Sequence, residues 1–346
     1  MTTLNIAVVG AGWMGRRHIG IIARSSDCRL AAIVDPAASS SAMARQAKTS
    51  HFLSLADLLA QGRPDGVILA TPNQLHVEQG LACVEAAVPA LIEKPLADSI
   101  EAAERLCEAA ERAKVSLLTG HHRQHNPLMT RAVEIVQGGR LGRVVAVVGT
   151  AMFYKPDSYY EEGPWRRQPG GGPILINLIH EIGNLRALCG EITAVQAIAS
   201  QAVRGFPVED TAAINLQFAN GALGAFLLSD TTAAARSWEQ TMREDPSYPS
   251  YPDEDCYLVA GTHGSLSIPT MRLRTFPGER SWWNPLDGEV VAVDRADPWE
   301  RQLENFCAVI RGEAQPVVSG RDGLRNLRII EAIKAAASSG TRISLS

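Results

Sequence analysis

A glycine-rich turn leaves this chain few ways to fold. Gly10-Ala11-Gly12-Trp13-Met14-Gly15 follows the apolar run 6–9 without a break and opens a helical pattern over 16–23. The first glycine permits a tight turn, the second lets backbone approach a pyrophosphate, and the third allows close helix–strand packing. Free N–H groups and the positive end of the helix then converge on one point, which suits a phosphate. The six residues alone are a weak signal, and the strand–turn–helix context gives them weight. That context extends, because 4–9, 30–34, 67–70, 90–92 and 116–119 read as strands separated by amphipathic stretches such as 73–87 and 99–113. Strands alternating with helices at this spacing predict βαβ units and a parallel, doubly wound sheet.

Past residue 120 the pattern changes. Residues 144–150, 194–201, 211–218 and 222–228 are short, β-rich and turn-separated, as in a large open, mainly antiparallel sheet, and helices over 298–310 and 322–337 close the chain. The expected class is α/β, with a Rossmann domain over 1–122 and a second α/β domain over 123–346. A chain of 346 residues is long enough for two cores. Of nineteen Phe, Trp and Tyr residues, only Trp13 and Phe52 precede residue 150. The knot at Phe153, Tyr154, Tyr159, Tyr160 and Trp165 reads either as sheet and oligomer packing or as a cleft that stacks on a ring-shaped substrate, with Tyr154 a candidate contact.

A net charge of −4 provides no basic footprint for nucleic acid or an anionic membrane surface. No apolar stretch approaches the roughly 20 residues needed to span a bilayer. Six cysteines without C-x-x-C spacing read as reduced, buried thiols. With an N-terminus that enters a strand directly, they point to a cytoplasmic protein. His121 and His125 stand at i, i+4 without acidic or cysteine neighbours, so no metal site is expected.

Asp35 ends the second strand, twenty residues after Gly15. A carboxylate there accepts hydrogen bonds from ribose hydroxyls and repels a 2′-phosphate, favouring NAD over NADP. Thr71-Pro72-Asn73 ends the fourth strand and would line the ribose and nicotinamide side; His76, one turn on, reads as a cofactor contact or a packing residue. Glu93-Lys94-Pro95 ends the apolar run 88–92, at the carboxyl end of the fifth strand, where open parallel sheets bind ligands. One ammonium there can orient a hydroxyl and carry its proton. His122 or Arg123, after the sixth strand, borders the same edge.

Gly170-Gly171-Gly172-Pro173 leads into a helical pattern over 174–188 that is apolar except for Asn177, His180, Glu181, Asn184 and Arg186. At about 100° per residue the first four form one stripe. That stripe reads as facing a substrate cleft or as internally hydrogen-bonded. Alcohol oxidation needs a base for the hydroxyl proton, and histidine titrates near neutrality. A cationic nicotinamide disfavours a nearby ammonium, so Lys94 and His180 across one cleft would form a proton-handling pair. The stretch 237–255 reads as a long irregular loop, and Trp282-Trp283 as a sugar-stacking or interface pair.

As a set, residues 10–15, Asp35, Thr71-Pro72, Glu93-Lys94-Pro95, residues 170–172 and His180 resemble the glucose–fructose oxidoreductase/inositol dehydrogenase (Gfo/Idh/MocA) family over nearly the whole chain. The resemblance implies a C-terminal open sheet that mediates homodimers or homotetramers, and a lysine and histidine that flank substrate and nicotinamide. It also implies hydride transfer between NAD(P) and a ring hydroxyl of a sugar, cyclitol or related polyol. Arg166 matches a residue that reaches the cofactor in some members. The sequence departs from the family where an aspartate commonly precedes the histidine by four residues, because Ile176 stands there, and the following H-x-x-D ends in Gly183. Asn177 and Asn184 can hydrogen-bond in its stead but not act as bases. A redox-neutral NAD-dependent glycosidase, a cis-dihydrodiol carboxylate dehydrogenase suggested by Arg123 and Arg166, and a non-catalytic dinucleotide sensor remain alternatives. Lys94 and His180 argue against the last.

Overall fold

The computed structural model describes residues 2–345. From the N-terminus the elements are β1 (Leu4–Val9), α1 (Trp13–Ile22), β2 (Cys28–Val34), α2 (Ala38–Gln46), β3 (Ser50–Phe52), α3 (Leu55–Gln61), β4 (Gly66–Leu69), α4 (His76–Glu85), β5 (Ala90–Glu93), α5 (Ile100–Ala113) and β6 (Leu117–Gly120). There follow α6 (Pro127–Gln137), β7 (Val144–Tyr154), α7 (Asp157–Glu162), α8 (Ile179–Cys189), β8 (Ile192–Ser200), β9 (Thr211–Phe218), β10 (Leu223–Ser229), β11 (Thr231–Arg236) and α9 (Trp238–Thr241). The remainder comprises β12 (Tyr257–Gly261), β13 (Gly264–Ile268), β14 (Arg272–Thr275), β15 (Asp287–Val290), α10 (Pro298–Ile310), α11 (Gly320–Ser339) and β16 (Ile343–Ser344).

Two compact units emerge. One holds the described residues up to His125 together with Ala296–Leu327; the other holds Asn126–Arg295 and the described residues from Arg328 onward. In the first, six strands pair in parallel in the order β3-β2-β1-β4-β5-β6. β4 and β5 are buried at every position, which is why they read as unbroken apolar runs rather than alternating ones. Helix α5 starts at Ser99, whose hydroxyl accepts from the Ala102 N–H at 3.2 Å, and turns Ala103, Leu106, Cys107 and Ala110 inward.

The return of residues 296–327 to the first unit departs from a sequence-based division at 122/123, and packing explains it. Asp297 caps α10 by accepting from the Trp299 N–H at 2.9 Å, with Pro298 in the first turn. Trp299, Leu303 and Phe306 then join one apolar cluster with Ile6, Ile68, Leu91 and Leu118 of the sheet. Helix α10 thus completes a core that the first 125 residues leave open on that side.

The second unit is built on a sheet of order β15-β14-β13-β12-β7-β10-β9-β8-β16, with β11 also on β7. Only β7 and β10 pair in parallel; the other pairs are antiparallel. Helix α8 is buried at almost every position. Along β9 the residues alternate, with Ala212, Ile214, Leu216 and Phe218 buried and Ala213, Asn215 and Gln217 exposed. The outer face is nevertheless apolar in its middle, where Val148, Leu223, Leu227, Leu258 and Ile198 are exposed. No helix among the described residues is long and apolar enough to cross a membrane.

Phe306 is fully buried, so Phe306→Ala should cost about 3–5 kcal/mol of unfolding free energy. Urea titration of both proteins checks this, and a loss below about 1 kcal/mol would contradict a sealing role for α10.

Candidate active site

The glycine turn is built for close approach. Gly10 has φ +89° and a Cβ there would lie 2.5 Å from the Ala70 carbonyl oxygen; a Cβ on Gly15 would lie 1.8 Å from the Gly10 oxygen. Beside the Cβ position of Gly12, by contrast, space is open. Helix α1 begins with no side-chain cap and no acidic residue in its first turn, so its positive end is uncompensated. Trp13 heads the helix 71% exposed, and Met14 packs on the core. This open, positively polarised cradle fits the pyrophosphate of a dinucleotide.

Asp35 organises the cradle from below. Its Oδ2 accepts from the Ala11 N–H at 2.7 Å and its Oδ1 from the Ala37 N–H at 2.8 Å. Burial raises its pKa, but these N–H donors and Ser40 outweigh burial and hold the carboxyl below its ordinary range. An ionised carboxylate keeps spare lone pairs for ribose hydroxyls.

The loops after β4 and β5 are tied together by His76. Its ring is buried, with Nδ1 2.8 Å from the Pro95 oxygen and Nε2 2.9 Å from the Thr71 oxygen. Burial lowers its pKa against the opposing pull of those carbonyls and of Glu93. Both ring nitrogens face backbone, so His76 positions the two loops. Thr71 donates its hydroxyl to Gln79 at 2.7 Å, Pro72 is exposed, and Asn73 opens a short 3₁₀ turn.

Lys94 is partly exposed, whereas Glu93 turns inward. The Glu93 Oε1 lies 2.7 Å from His18 Nε2 on α1. Burial raises the pKa of this carboxyl, yet His18, His122 and Lys94 together lower it. Glu93 therefore supplies a negative charge behind Lys94. His122 stacks on Trp299 with centroids 4.0 Å apart, and the Arg17 guanidinium lies 4.8 Å from the same indole centroid. Arg123 is buried, and so is His125, whose pKa burial pushes down to about 3.

In the second unit, residues 174–178 form a π-helical turn that leads into α8, a wider turn often found at functional sites. The polar stripe expected on this helix divides. Glu181 accepts from the Tyr257 hydroxyl, and Asn184 Nδ2 contacts that hydroxyl at 3.1 Å, so both serve β12 within the core. Asn177 instead accepts from Lys155 Nζ at 2.6 Å and faces Glu239 Oε1 from its amide nitrogen at 3.4 Å. His180 is buried one turn further on, and Ile176 is partly exposed.

Strand alternation sends Tyr154 to the opposite side of β7 from Phe153 and Lys155. Tyr154 is 59% exposed and lines a separate cavity of about 450 Å³ with Tyr160, Arg204 and Phe206. Arg166 lies 3.9 Å from the Tyr159 ring centroid and donates to the Tyr159 oxygen.

Lys155, His18 and Trp299 went unremarked in the sequence. Only Lys155 left a signal there, because the buried positions Ala151 and Phe153 continue in step to residue 155. Its ammonium lies 3.7 Å from Asp230 Oδ2 and 4.8 Å from the Tyr159 ring centroid. Burial lowers its pKa from 10.5 to about 8, aided by Arg166 and Arg204 and opposed by Asp230 and Glu239.

The folded pKa of Lys155 is thus depressed. The unfolded chain binds the extra proton between about pH 8 and the ordinary value, and stability contributed through this group rises with pH across that window. Below it, the penalty for a buried ammonium is fully present. Lys155→Met should melt at or above wild type at pH 7, with the difference shrinking toward pH 10. Scanning calorimetry at both pH values checks this, and a lower melting temperature at pH 7 would contradict it.

A family model described as oxidoreductase, NAD-binding Rossmann fold (GFO_IDH_MocA) matches residues 4–121, and a GFO/IDH/MocA C-terminal domain model matches residues 129–267. The chain is 28% identical over 342 residues to the rhizopine catabolism protein MocA of Rhizobium meliloti, covering 96% of this chain and 94% of that protein. It is 29% identical over 300 residues to 1,5-anhydro-D-fructose reductase of Ensifer adhaerens, covering 83% and 81%. It also superposes on the WlbA dehydrogenase of Bordetella pertussis, crystallised with NADH and UDP-GlcNAcA, with a TM-score of 0.80 and 26% identity, covering 100% and 99% of the two chains. With both domain models matched in order, the chain belongs to the Gfo/Idh/MocA family of NAD-binding oxidoreductases.

Proposed function

We propose that the protein is an NAD-dependent dehydrogenase acting on a ring hydroxyl of a sugar, cyclitol or related polyol. The observation that carries this reading is Lys94 at the carboxyl end of β5, backed by the buried carboxylate of Glu93, in a unit that also holds the dinucleotide cradle. When bound, NAD supplies the acceptor for the hydride that leaves the alcohol carbon. Lys94 hydrogen-bonds the reacting hydroxyl and orients it, and His180 accepts the proton that the hydroxyl releases. Ile176 provides no carboxylate at the position where the family commonly has an aspartate, and the neighbouring Asn177 offers only hydrogen bonds.

The outer face of the second sheet suits a second copy of the chain. Ile198, Ala213 and Leu227 lie in register across β8, β9 and β10, and Ala225, Val148 and Leu258 across β10, β7 and β12. An open apolar sheet face of this kind favours burial in a homodimer or homotetramer. All six cysteines are free and buried, which suits a reducing, cytoplasmic setting.

Screening NAD⁺ reduction across sugars, inositols, anhydrosugars and dihydrodiols tests the activity. Lys94→Ala should abolish NADH formation while leaving NAD affinity within a few-fold, and His180→Ala should slow turnover by about 10²–10⁴. Wild-type turnover in Lys94→Ala would sink the assignment, and glycoside cleavage without NADH accumulation would favour the redox-neutral reaction.

Leu227→Asp should reduce the mass in solution to that of a smaller assembly, as read by light scattering after size exclusion. An unchanged mass would remove this face from the interface.

A further inference from the structure

The helical run that carries His180 starts without a cap of its own. Ile174–Leu178 continues directly into Ile179–Cys189, and the residue at the cap position is Pro173, whose ring offers no acceptor to the first N–H groups. Glu209, from the connection between β8 and β9, supplies one. Its Oε1 accepts from the N–H of the buried Ile174 at 2.8 Å. The same oxygen occupies the space beside Gly172, where φ is +80° and a Cβ would lie 2.6 Å from it. The glycine turn is equally close on its other side. A Cβ on Gly171 would lie 2.6 Å from the carbonyl oxygens of both Trp165 and Arg166, and the Gly172 N–H donates to the Arg166 oxygen at 3.0 Å. One carboxyl therefore meets the junction of the Arg166 turn and the His180 helix.

Glu209 is itself firmly mounted. The next residue, Asp210, accepts at Oδ2 from the Val203 and Arg204 N–H groups at 3.0 and 2.9 Å, and its own N–H donates to the Ser200 oxygen at 2.9 Å. These bonds close the β8–β9 connection on itself. Burial raises the pKa of Glu209, opposed by the Ile174 and Glu209 N–H groups and by Lys334, while Asp230 adds to the rise. Among the described residues no cation forms an ion pair with this carboxyl, so its contact with the turn is the hold it exerts.

We propose that Glu209 is a positioning residue for His180, its carboxyl oxygen locking the glycine turn to the first N–H of the helical run and so setting where the imidazole stands. The inference rests on the dehydrogenase reading for the task of His180, whereas the lock itself is measured without turnover. Glutamine at 209 keeps an oxygen acceptor, and alanine removes it. A buried N–H left without an acceptor loosens the turn that holds it. A displacement of about 1 Å passed on to a catalytic group can cost roughly 10²-fold in rate.

The experiment compares wild type, Glu209→Gln and Glu209→Ala. Hydrogen–deuterium exchange of peptides spanning 172–182, read by mass spectrometry, should quicken about tenfold in Glu209→Ala and stay within about threefold of wild type in Glu209→Gln. With the most active member of the sugar, inositol, anhydrosugar and dihydrodiol panel, kcat should fall about tenfold or more in Glu209→Ala. Its KM for NAD⁺ should stay within about threefold, because the dinucleotide cradle lies in the other unit, and Glu209→Gln should recover most of kcat. A far-ultraviolet spectrum and melting curve confirm that each variant is folded. Unchanged exchange in Glu209→Ala overturns the proposal, as does wild-type kcat in that variant or a kcat in Glu209→Gln as low as in Glu209→Ala. Quickened exchange in Glu209→Ala with no NADH formation by wild type leaves the lock standing and defeats the hydride-transfer reading. NADH formation by wild type with unchanged exchange in Glu209→Ala does the reverse.

Discussion

Helix α1 can lie against β1 only because residue 15 has no side chain, since a Cβ there would sit 1.8 Å from the Gly10 oxygen. Much of the chemistry at the carboxyl edge of the first sheet follows from that close approach. It aims the uncapped start of α1 at the space beside Gly12, where a phosphate can meet free N–H groups. It brings Ala11 within 2.7 Å of the Asp35 carboxylate, which ties the end of β2 to the turn. It also carries His18, one turn along α1, to the carboxylate of Glu93 at the end of β5. A bulkier residue at 15 would push the helix outward and loosen all three links together.

The two units handle buried charge in different ways. In the first, Glu93 is nearly dry but surrounded by His18, His122 and Lys94, so its carboxylate is compensated and lies below its ordinary pKa. In the second, Lys155 is nearly dry, and burial outweighs the pull of Asp230 and Glu239, so its pKa falls to about 8. The difference is one of balance between desolvation and neighbouring charge.

Much of the first unit was legible along the chain. Its strands are continuous apolar runs, because parallel strands are buried on both faces, and β1 came out with its observed bounds. Ser99 before α5 and Pro298 in the first turn of α10 are local start signals that act without tertiary help. The second unit was less readable. Strands β12, β13, β14 and β15 have five or fewer residues and carry polar side chains such as Ser265, Ser267, Arg272 and Arg274. They hold together through neighbours distant in the chain, and no local period announces that. The polar stripe on α8 shows the same limit. Spacing put Asn177, His180, Glu181 and Asn184 on one face, but spacing does not say that Tyr257 of β12 claims Glu181 and Asn184.

By itself the sequence determined the glycine turn, the strand–helix alternation, the acidic residue at the end of β2 and the Glu93-Lys94-Pro95 step, because each depends on contacts within a few residues or on one repeating unit. Only the tertiary structure decided that α10 returns to the first core, that His76 binds two loops together, and that Lys155 is buried against Asn177 and Asp230. The physical reason is range. Turn geometry and periodicity are written locally, whereas the charge balance of a site is a sum over side chains from β7, α7, α8 and the segments after them, and that sum exists only once the chain has brought them together.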